Sequence, residues 1–293
     1  MGVRDDPRMP AVAGSFYAGS ASSLRTQLEQ CFLHSLGPGS LPAQEQSPNP
    51  VLGLLSPHAG YIYSGPIAAH GYRRLAVAQP QTAVIIGPNH RGMGAAIAVS
   101  AVRAWQTPLG EIAIDRGISD AIISQCPWAR PDNLAHAMEH SVEVQVPFLQ
   151  FVFGDAFSLV AIVMSRQDWP SSRSLGDAIG KALGTRPAVI IASSDLTHYE
   201  PQLVAAERDA LALEAILSLE PQRLATVVSQ HSLTMCGPGP VMAMLQACRQ
   251  LGATKAELLR YATSGDAAGD YSRVVGYASA LFAQASPDRA VTR

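Results

Sequence analysis

His58, His90 and His198 stand in three similar settings. The first follows Val51-Leu52-Gly53-Leu54-Leu55 and lies in Ser56-Pro57-His58-Ala59-Gly60. The second follows Ala83-Val84-Ile85-Ile86 and lies in Gly87-Pro88-Asn89-His90. The third follows Ala188-Val189-Ile190-Ile191-Ala192 and lies in Ser193-Ser194-Asp195-Leu196-Thr197-His198. Imidazole suits Fe, Cu, Zn and Ni, and it exchanges protons near neutral pH. Two or three such rings make part of a coordination shell that needs an anionic partner. Asp195, Cys236, Glu139 and Glu143 are the candidates. Short, β-branched, continuous apolar runs read as buried strands of a parallel sheet. Ligands of open α/β sheets bind just beyond the carboxyl ends of the strands. Three histidines far apart in the chain are therefore expected at one pocket, as a metal or acid/base site.

Each residue also has a plainer reading. His58 and His90 could be strand-end histidines bonded to backbone. Their occurrence one βαβ unit apart favours a shared site, because adjacent parallel strands would bring the two rings together. Cys236 precedes Gly237-Pro238-Gly239-Pro240 and an apolar helix. A thiol before a helix N-terminus is drawn toward thiolate, the metal-ligating form; alternatively it is a small residue filling a tight turn. Asp195, three residues before His198, could fix that ring's tautomer, or cap a helix with His198 in its first turn. His136 and His140 are spaced i, i+4, but His-Ala-Met-Glu-His lacks the second-position Glu of HExxH. His140 reads as an acid/base candidate or a support for a ligand, and His136 as a loop residue. His34, His70 and His231 fall in or beside amphipathic helical patterns and read as structural. No phosphate loop, GxGxxG or GxSxG occurs, so nucleotide binding and serine hydrolysis lack support.

The elements that must position these residues alternate. Helical spacing covers 21–36, an irregular Pro-rich loop 37–50, and an amphipathic stretch 66–75 after the first strand. Short strands at 95–100 and 110–115 resemble a hairpin or an excursion from the main sheet. Helices follow at 116–125 and about 141–152, a strand at 157–164 and a helix at 173–183. Beyond strand 188–192 come helices near 201–218, 221–231 and 241–251, then strands 257–263 and 274–282. This is an α/β pattern: a single domain over 10–285, with a mostly parallel central sheet flanked by helices and flexible termini at 1–9 and 286–293. With 293 residues, 47% of them hydrophobic, the chain can bury a large core. A net charge of -2 gives no reason to expect nucleic acid or an acidic membrane as partner. No run approaches the roughly 18 apolar residues of a membrane span, and the start lacks a signal core, so the cytosol is expected. The four cysteines are scattered without a CxxC pair and read as thiols.

At this point the chain resembles the Memo-like family, called in prokaryotes the AmmeMemoRadiSam system protein B. The matching stretches are Ala13-Gly14-Ser15-Phe16-Tyr17, Pro57-His58-Ala59-Gly60-Tyr61, Gly87-Pro88-Asn89-His90 and Thr107-Pro108-Leu109-Gly110. They continue with Glu139-His140-Ser141-Val142-Glu143, Ser193-Ser194-Asp195-Leu196-Thr197-His198 and Met235-Cys236-Gly237. That family is similar in fold to the class III extradiol dioxygenases, the LigB-like group, which hold non-haem Fe(II) with two histidines and a glutamate. By this resemblance His58 and His90 match the histidine ligands, and Cys236 falls where the glutamate stands. His198 matches the base that deprotonates a catechol, His140 another pocket histidine, and Asp195 the carboxylate of the SSD motif. The resemblance thus implies a His58/His90/Cys236 metal site surrounded by His140, Asp195 and His198. A thiolate in place of a carboxylate softens the site toward Fe(II), with Cu or Zn as alternatives, and makes one ligand oxidisable. The implied activity is that of a metal-dependent redox enzyme, or dioxygenase-like protein, acting on an unknown small molecule or peptide. A non-catalytic peptide- or protein-binding adaptor on the same fold, and a zinc hydrolase, are the competing readings. The prokaryotic family name also implies radical-SAM and AMMECR1-like partners.

Overall fold

Strands that are apolar at every position must be covered on both faces. The computed structural model describes residues 6–43 and 50–285 and has this construction. In chain order the strands are β1 Val51–Ser56, β2 Thr82–Pro88, β3 Ile97–Val99, β4 Ala104–Thr107, β5 Gly110–Ala113, β6 Ala129–Pro131, β7 Ser158–Met164, β8 Ala188–Ser193, β9 His198–Glu200, β10 Lys255–Thr263 and β11 Val274–Ala283. The helices are α1 Ala21–Leu33, α2 Tyr61–Leu75, α3 Arg116–Gln125, α4 Val146–Phe153, α5 Trp169–Leu183, α6 Gln202–Leu217, α7 Pro221–Gln230, α8 Pro238–Gln250 and α9 Ser264–Ala268. The main sheet runs β10-β11-β1-β8-β2-β7-β3-β6, with β9 on β11. Its centre, β1-β8-β2-β7, is parallel throughout. Antiparallel β11 and β3 bound that centre on its two sides.

Side chains of a strand alternate between faces, and the core divides accordingly. Leu55, Val84, Ile86 and Ile190 join α3, α5, α6, α7 and α8 on one face. Leu54, Ile85, Val189 and Ile191 join α1, α2, α4 and the β4–β5 hairpin on the other. The chain is a single α/β domain with a mostly parallel central sheet flanked by helices. Among the described residues, no helix is long and apolar enough to cross a membrane.

Three expectations change. β1 and β2 are not neighbours, because β8 lies between them. Of the two readings of 95–100 and 110–115, the hairpin between them gives way: β3 joins the main sheet beside β7, and the hairpin is β4 with β5. The helical run near 141–152 divides into a 3-10 turn, Glu143–Gln145, and α4.

Of the stretch 1–9 expected to be flexible, residues 6–9 are described. Arg8 is buried, bridges to the hairpin through Ala104 O at 2.8 Å, and lies over the Trp105 ring at 4.2 Å. Its guanidinium donates to Glu143 Oε2 at 2.6 Å, Glu139 O at 2.8 Å and His136 O at 2.8 Å. Glu143 also accepts from Ala11 N, Val12 N and the Tyr17 hydroxyl, at 2.8, 3.0 and 2.7 Å. Its lone pairs are fully used, so it belongs to the scaffold, and it staples the N-terminal segment to the loop bearing His140. Residues 1–5 and 286–293, the rest of the expected free termini, lie outside the described residues.

Removing one partner of a buried ion pair leaves the other charge uncompensated. Glu143→Ala is therefore expected to lower the unfolding free energy by about 3–5 kcal/mol in denaturant titrations. Glu257→Ala, which breaks the half-exposed pair with Arg74, is expected to change it by at most about 1 kcal/mol. Equal effects would contradict the role given to Glu143.

Candidate metal centre

Register levels the strand ends. Ser56 of β1 pairs with Ser193 of β8, and Ile86 of β2 pairs with Ala192. The residues that follow, Pro57-His58, Ser194-Asp195 and Asn89-His90, leave the sheet along one edge. The loop carrying His140 is seated there by Ser141, whose Oγ donates to Pro88 O at 2.8 Å. Gly87 permits the approach, since a Cβ at that position would stand 2.9 Å from Ser141 Cβ.

Three rings meet over this edge. The centroids of His58 and His90 are 5.2 Å apart, those of His58 and His140 5.5 Å, and those of His90 and His140 4.7 Å. One ligand nitrogen from each lies within 4.8 Å of the others. His58 is buried, while the His90 and His140 side chains are 32% and 15% exposed, so the group opens to solvent on their side. His140 packs on Phe16, with centroids 4.6 Å apart, which gives the N-terminal segment a wall of the site.

Glu139 orients two of the rings. Its Oε1 accepts from His90 Nδ1, His140 N and Ser141 N, each at 2.9 Å, and lies 3.3 Å from His140 Nδ1. Its Oε2 accepts from His90 N at 2.6 Å. Burial opposes ionisation of Glu139, but these hydrogen bonds and the imidazoles prevail and bring it down to about 2. A carboxylate on one ring nitrogen leaves the other free to bind a metal and raises its basicity. Burial, with the neighbouring imidazoles, pushes His58 far below its ordinary value. Burial likewise takes His140 down to about 4, against the pull of Glu139. Neutral rings are the form that ligation requires.

Cys236 is placed against this group, with Sγ 3.2 Å from His58 Nε2, and it accepts from Asp195 N at 3.2 Å. It stands two residues before α8, as expected, yet its thiol is pushed up by burial and by the Asp195 carboxylate. A helix end contributes about 0.3–1 kcal/mol, less than one pKa unit, and desolvation outweighs it. His140, expected as an acid or a support, is the third member of the imidazole group.

Asp195 and His198 are close but not arranged as expected. Asp195 Oδ1 accepts from His58 N at 2.7 Å. Burial raises Asp195 to about 6, against the lowering effect of that bond and of His198. His198 begins β9 rather than a helix, so Asp195 caps nothing there. The His198 ring is held instead by backbone, with Nδ1 2.7 Å from Leu196 O and 3.0 Å from Thr234 O. Carbonyl oxygens only accept, so Nδ1 carries a proton and the neutral ring offers its lone pair at Nε2.

His136 is buried outside the site, 3.2 Å from Ala98 O, and burial together with Arg8 takes it down to about 3. His34 and His70 bond to Leu36 backbone atoms, as structural residues do. Two participants are not among the expected site residues: Ser193, the first residue of the SSD stretch, 2.9 Å from His58 Nδ1, and Gln145, 2.7 Å from Ser193 Oγ. The available signal for Gln145 is a polar residue inside the apolar run Val144 to Leu149.

Known proteins resemble this chain over most of its length. The sequence model of a family described as Memo-like protein matches residues 8–281. A MEMO1 family protein of Methanopyrus kandleri is 46% identical over 278 residues, covering 94% of this chain and 98% of its own. One from Ignicoccus hospitalis is 47% identical over 281 residues, again 94% and 98%. One from Methanocaldococcus jannaschii is 46% identical over 283 residues, with the same coverage. Among solved structures, an uncharacterized protein of Escherichia coli K12 superposes with a TM-score of 0.58 over 79% of this chain and 99% of that one. At 12% identity it shares the fold alone. A match that begins at Arg8 takes in the buried N-terminal staple as well as the strand-end histidines, and the chain belongs to the Memo-like family.

Proposed function

We propose that this chain is a metal-dependent redox protein in which His58 and His90 hold non-haem iron, with Cys236 as the sulfur donor and His140 as the adjoining imidazole. The supporting observation is one cluster at the strand ends: three imidazoles with ligand nitrogens within 4.8 Å, and a thiol 3.2 Å from His58 Nε2. The donor set fits such an ion, because imidazole and sulfur together favour Fe, Cu or Zn over Mg or Mn. When bound, the ion supplies Lewis acidity and, as iron or copper, electron transfer. The protein's part is positioning and proton handling. Glu139 aims His90 and His140. Asp195 fixes the backbone at His58. His198 Nε2 takes a proton from an acidic O–H of a small-molecule substrate, and the Leu196 and Thr234 carbonyls stabilise the imidazolium that forms.

Metal content of protein purified without oxygen tests this reading. Wild type is expected to carry near-stoichiometric iron or copper, and His58→Ala and His90→Ala to lose it while keeping the wild-type circular dichroism. Loss in Cys236→Ala with retention in His140→Ala supports the thiol as third donor; the reverse replaces it with a three-histidine set. Folded wild type that takes up no metal would overturn the proposal, and air-stable zinc alone would move it to hydrolysis.

Glu139→Gln tests the support shell. All four close donors to this carboxylate are N–H groups, so an amide NH2 has no acceptor to face. Metal affinity, read by competition with a chelator, is expected to fall by about 10–100-fold. Unchanged affinity would remove Glu139 from the machinery.

A further inference from the structure

We infer that Gln145 and Ser193 set the tautomer of His58 from outside the ligand group, as positioning residues that present its Nε2 lone pair to the centre. This rests on the reading of His58 as a ligand. Behind His58 stands a chain of groups whose roles are forced. The carbonyl oxygens of Pro57 and Ser141 can only accept. Gln145 Nε2 lies 2.9 Å from Pro57 O and 2.7 Å from Ser193 Oγ. Its Oε1 accepts from the Tyr72 hydroxyl at 2.6 Å. The opposite amide orientation would set two acceptors, Oε1 and Pro57 O, against each other.

Ser193 Oγ has one proton and two lone pairs. It lies 2.6 Å from Ser141 O, so its proton goes there. One lone pair accepts from Gln145, which leaves the other for His58 Nδ1 at 2.9 Å. That nitrogen must bring a proton. A neutral imidazole has only one, so Nε2 is bare. Water cannot relax the chain, because Gln145 and Ser193 are 1% and 0% exposed and His58 is 2% exposed. A buried partner left unmatched has no solvent substitute.

The relay gives His58 a different backing from the other two rings. Glu139 serves His90 and His140 with a negative charge, whereas His58 is turned by neutral groups on β8 and on the 3-10 turn before α4. Gln145 thereby links α2, through Tyr72, to the tautomer of a residue that α2 does not carry.

Nitrogen NMR on metal-free protein labelled with 15N-histidine tests the inference directly. Two-bond 15N–1H correlations, assigned by difference with His58→Gln, are expected to show His58 protonated at Nδ1 and bare at Nε2. Protonation at Nε2 in wild type would overturn the relay. Ser193→Ala is expected to abolish the single tautomer and to weaken Zn2+ binding by about 10–100-fold. Ser193→Thr, which keeps the hydroxyl, is expected to restore both. An unchanged tautomer and affinity in a folded Ser193→Ala would also overturn it. Should Ser193→Ala fail to fold, the wild-type spectrum still decides. The stated tautomer in a wild type that binds no Zn2+ would uphold the relay while removing the metal centre.

Discussion

The site depends on the parallel register of β1, β8 and β2. Ser56 and Ser193 stand opposite one another, and Ile86 stands opposite Ala192. That alignment brings three chain exits to one height, so that two histidines and an aspartate need only two or three further residues each to meet. The strands are fully apolar inside the sheet and turn polar at this edge. The change of composition is the boundary between the core and the chemistry. Backbone groups freed at the ends of parallel strands need partners, and at this edge they find side chains. Pro57 O receives Gln145, Pro88 O receives Ser141, and His58 N finds Asp195.

Two buried carboxylates show how the molecule keeps charge near that edge. Desolvation of an ion is costly unless hydrogen bonds replace its water. Glu143 is surrounded by two backbone N–H groups, a phenol and a guanidinium. Glu139 is surrounded by N–H groups of the very loop and rings that it orients. They lie four residues apart and serve different ends. Glu143 binds the N-terminal segment, and Glu139 binds the site. Arg8 joins the two by donating to the Glu143 carboxylate and to the Glu139 carbonyl. Placement of Phe16 against His140 follows from that staple.

Residues with local signals were legible in the sequence. Apolar runs ending at His58, His90 and Asp195 marked the strand ends, because burial on both faces demands continuous apolarity. Strand order was not legible in that way. The insertion of β8 between β1 and β2 is a long-range pairing that no local pattern encodes. The two rings still meet because the loops, rather than adjacent strands, cover the distance. An Asp three residues before His198 suits either a tautomer-fixing partner or a helix cap; the pairing of β9 with β11 removes the cap. The place of Cys236 before α8 suits a thiolate as well as a small turn residue, and burial defeats the dipole argument for the thiolate. Gln145 and Ser193 act only through partners 48 and more positions away, so their roles appear only once the sheet is assembled.

As ligands in the proposed centre, the three imidazoles are unequal donors. A carboxylate on the far nitrogen pushes electron density toward the ligating one, whereas a serine hydroxyl does so more weakly. His90 has such a carboxylate in Glu139, whereas His140 Nδ1 lies 3.3 Å from it without a hydrogen bond, and the two rings stack nearly parallel, with ring planes 19° apart. His58 crosses both at 77° and 82°, has the neutral backing, and is the most buried of the three. It is also the ring beside the thiol. The side of the cluster with the weakest imidazole donor therefore has the softest atom next to it. The side with His90 and His140 faces solvent.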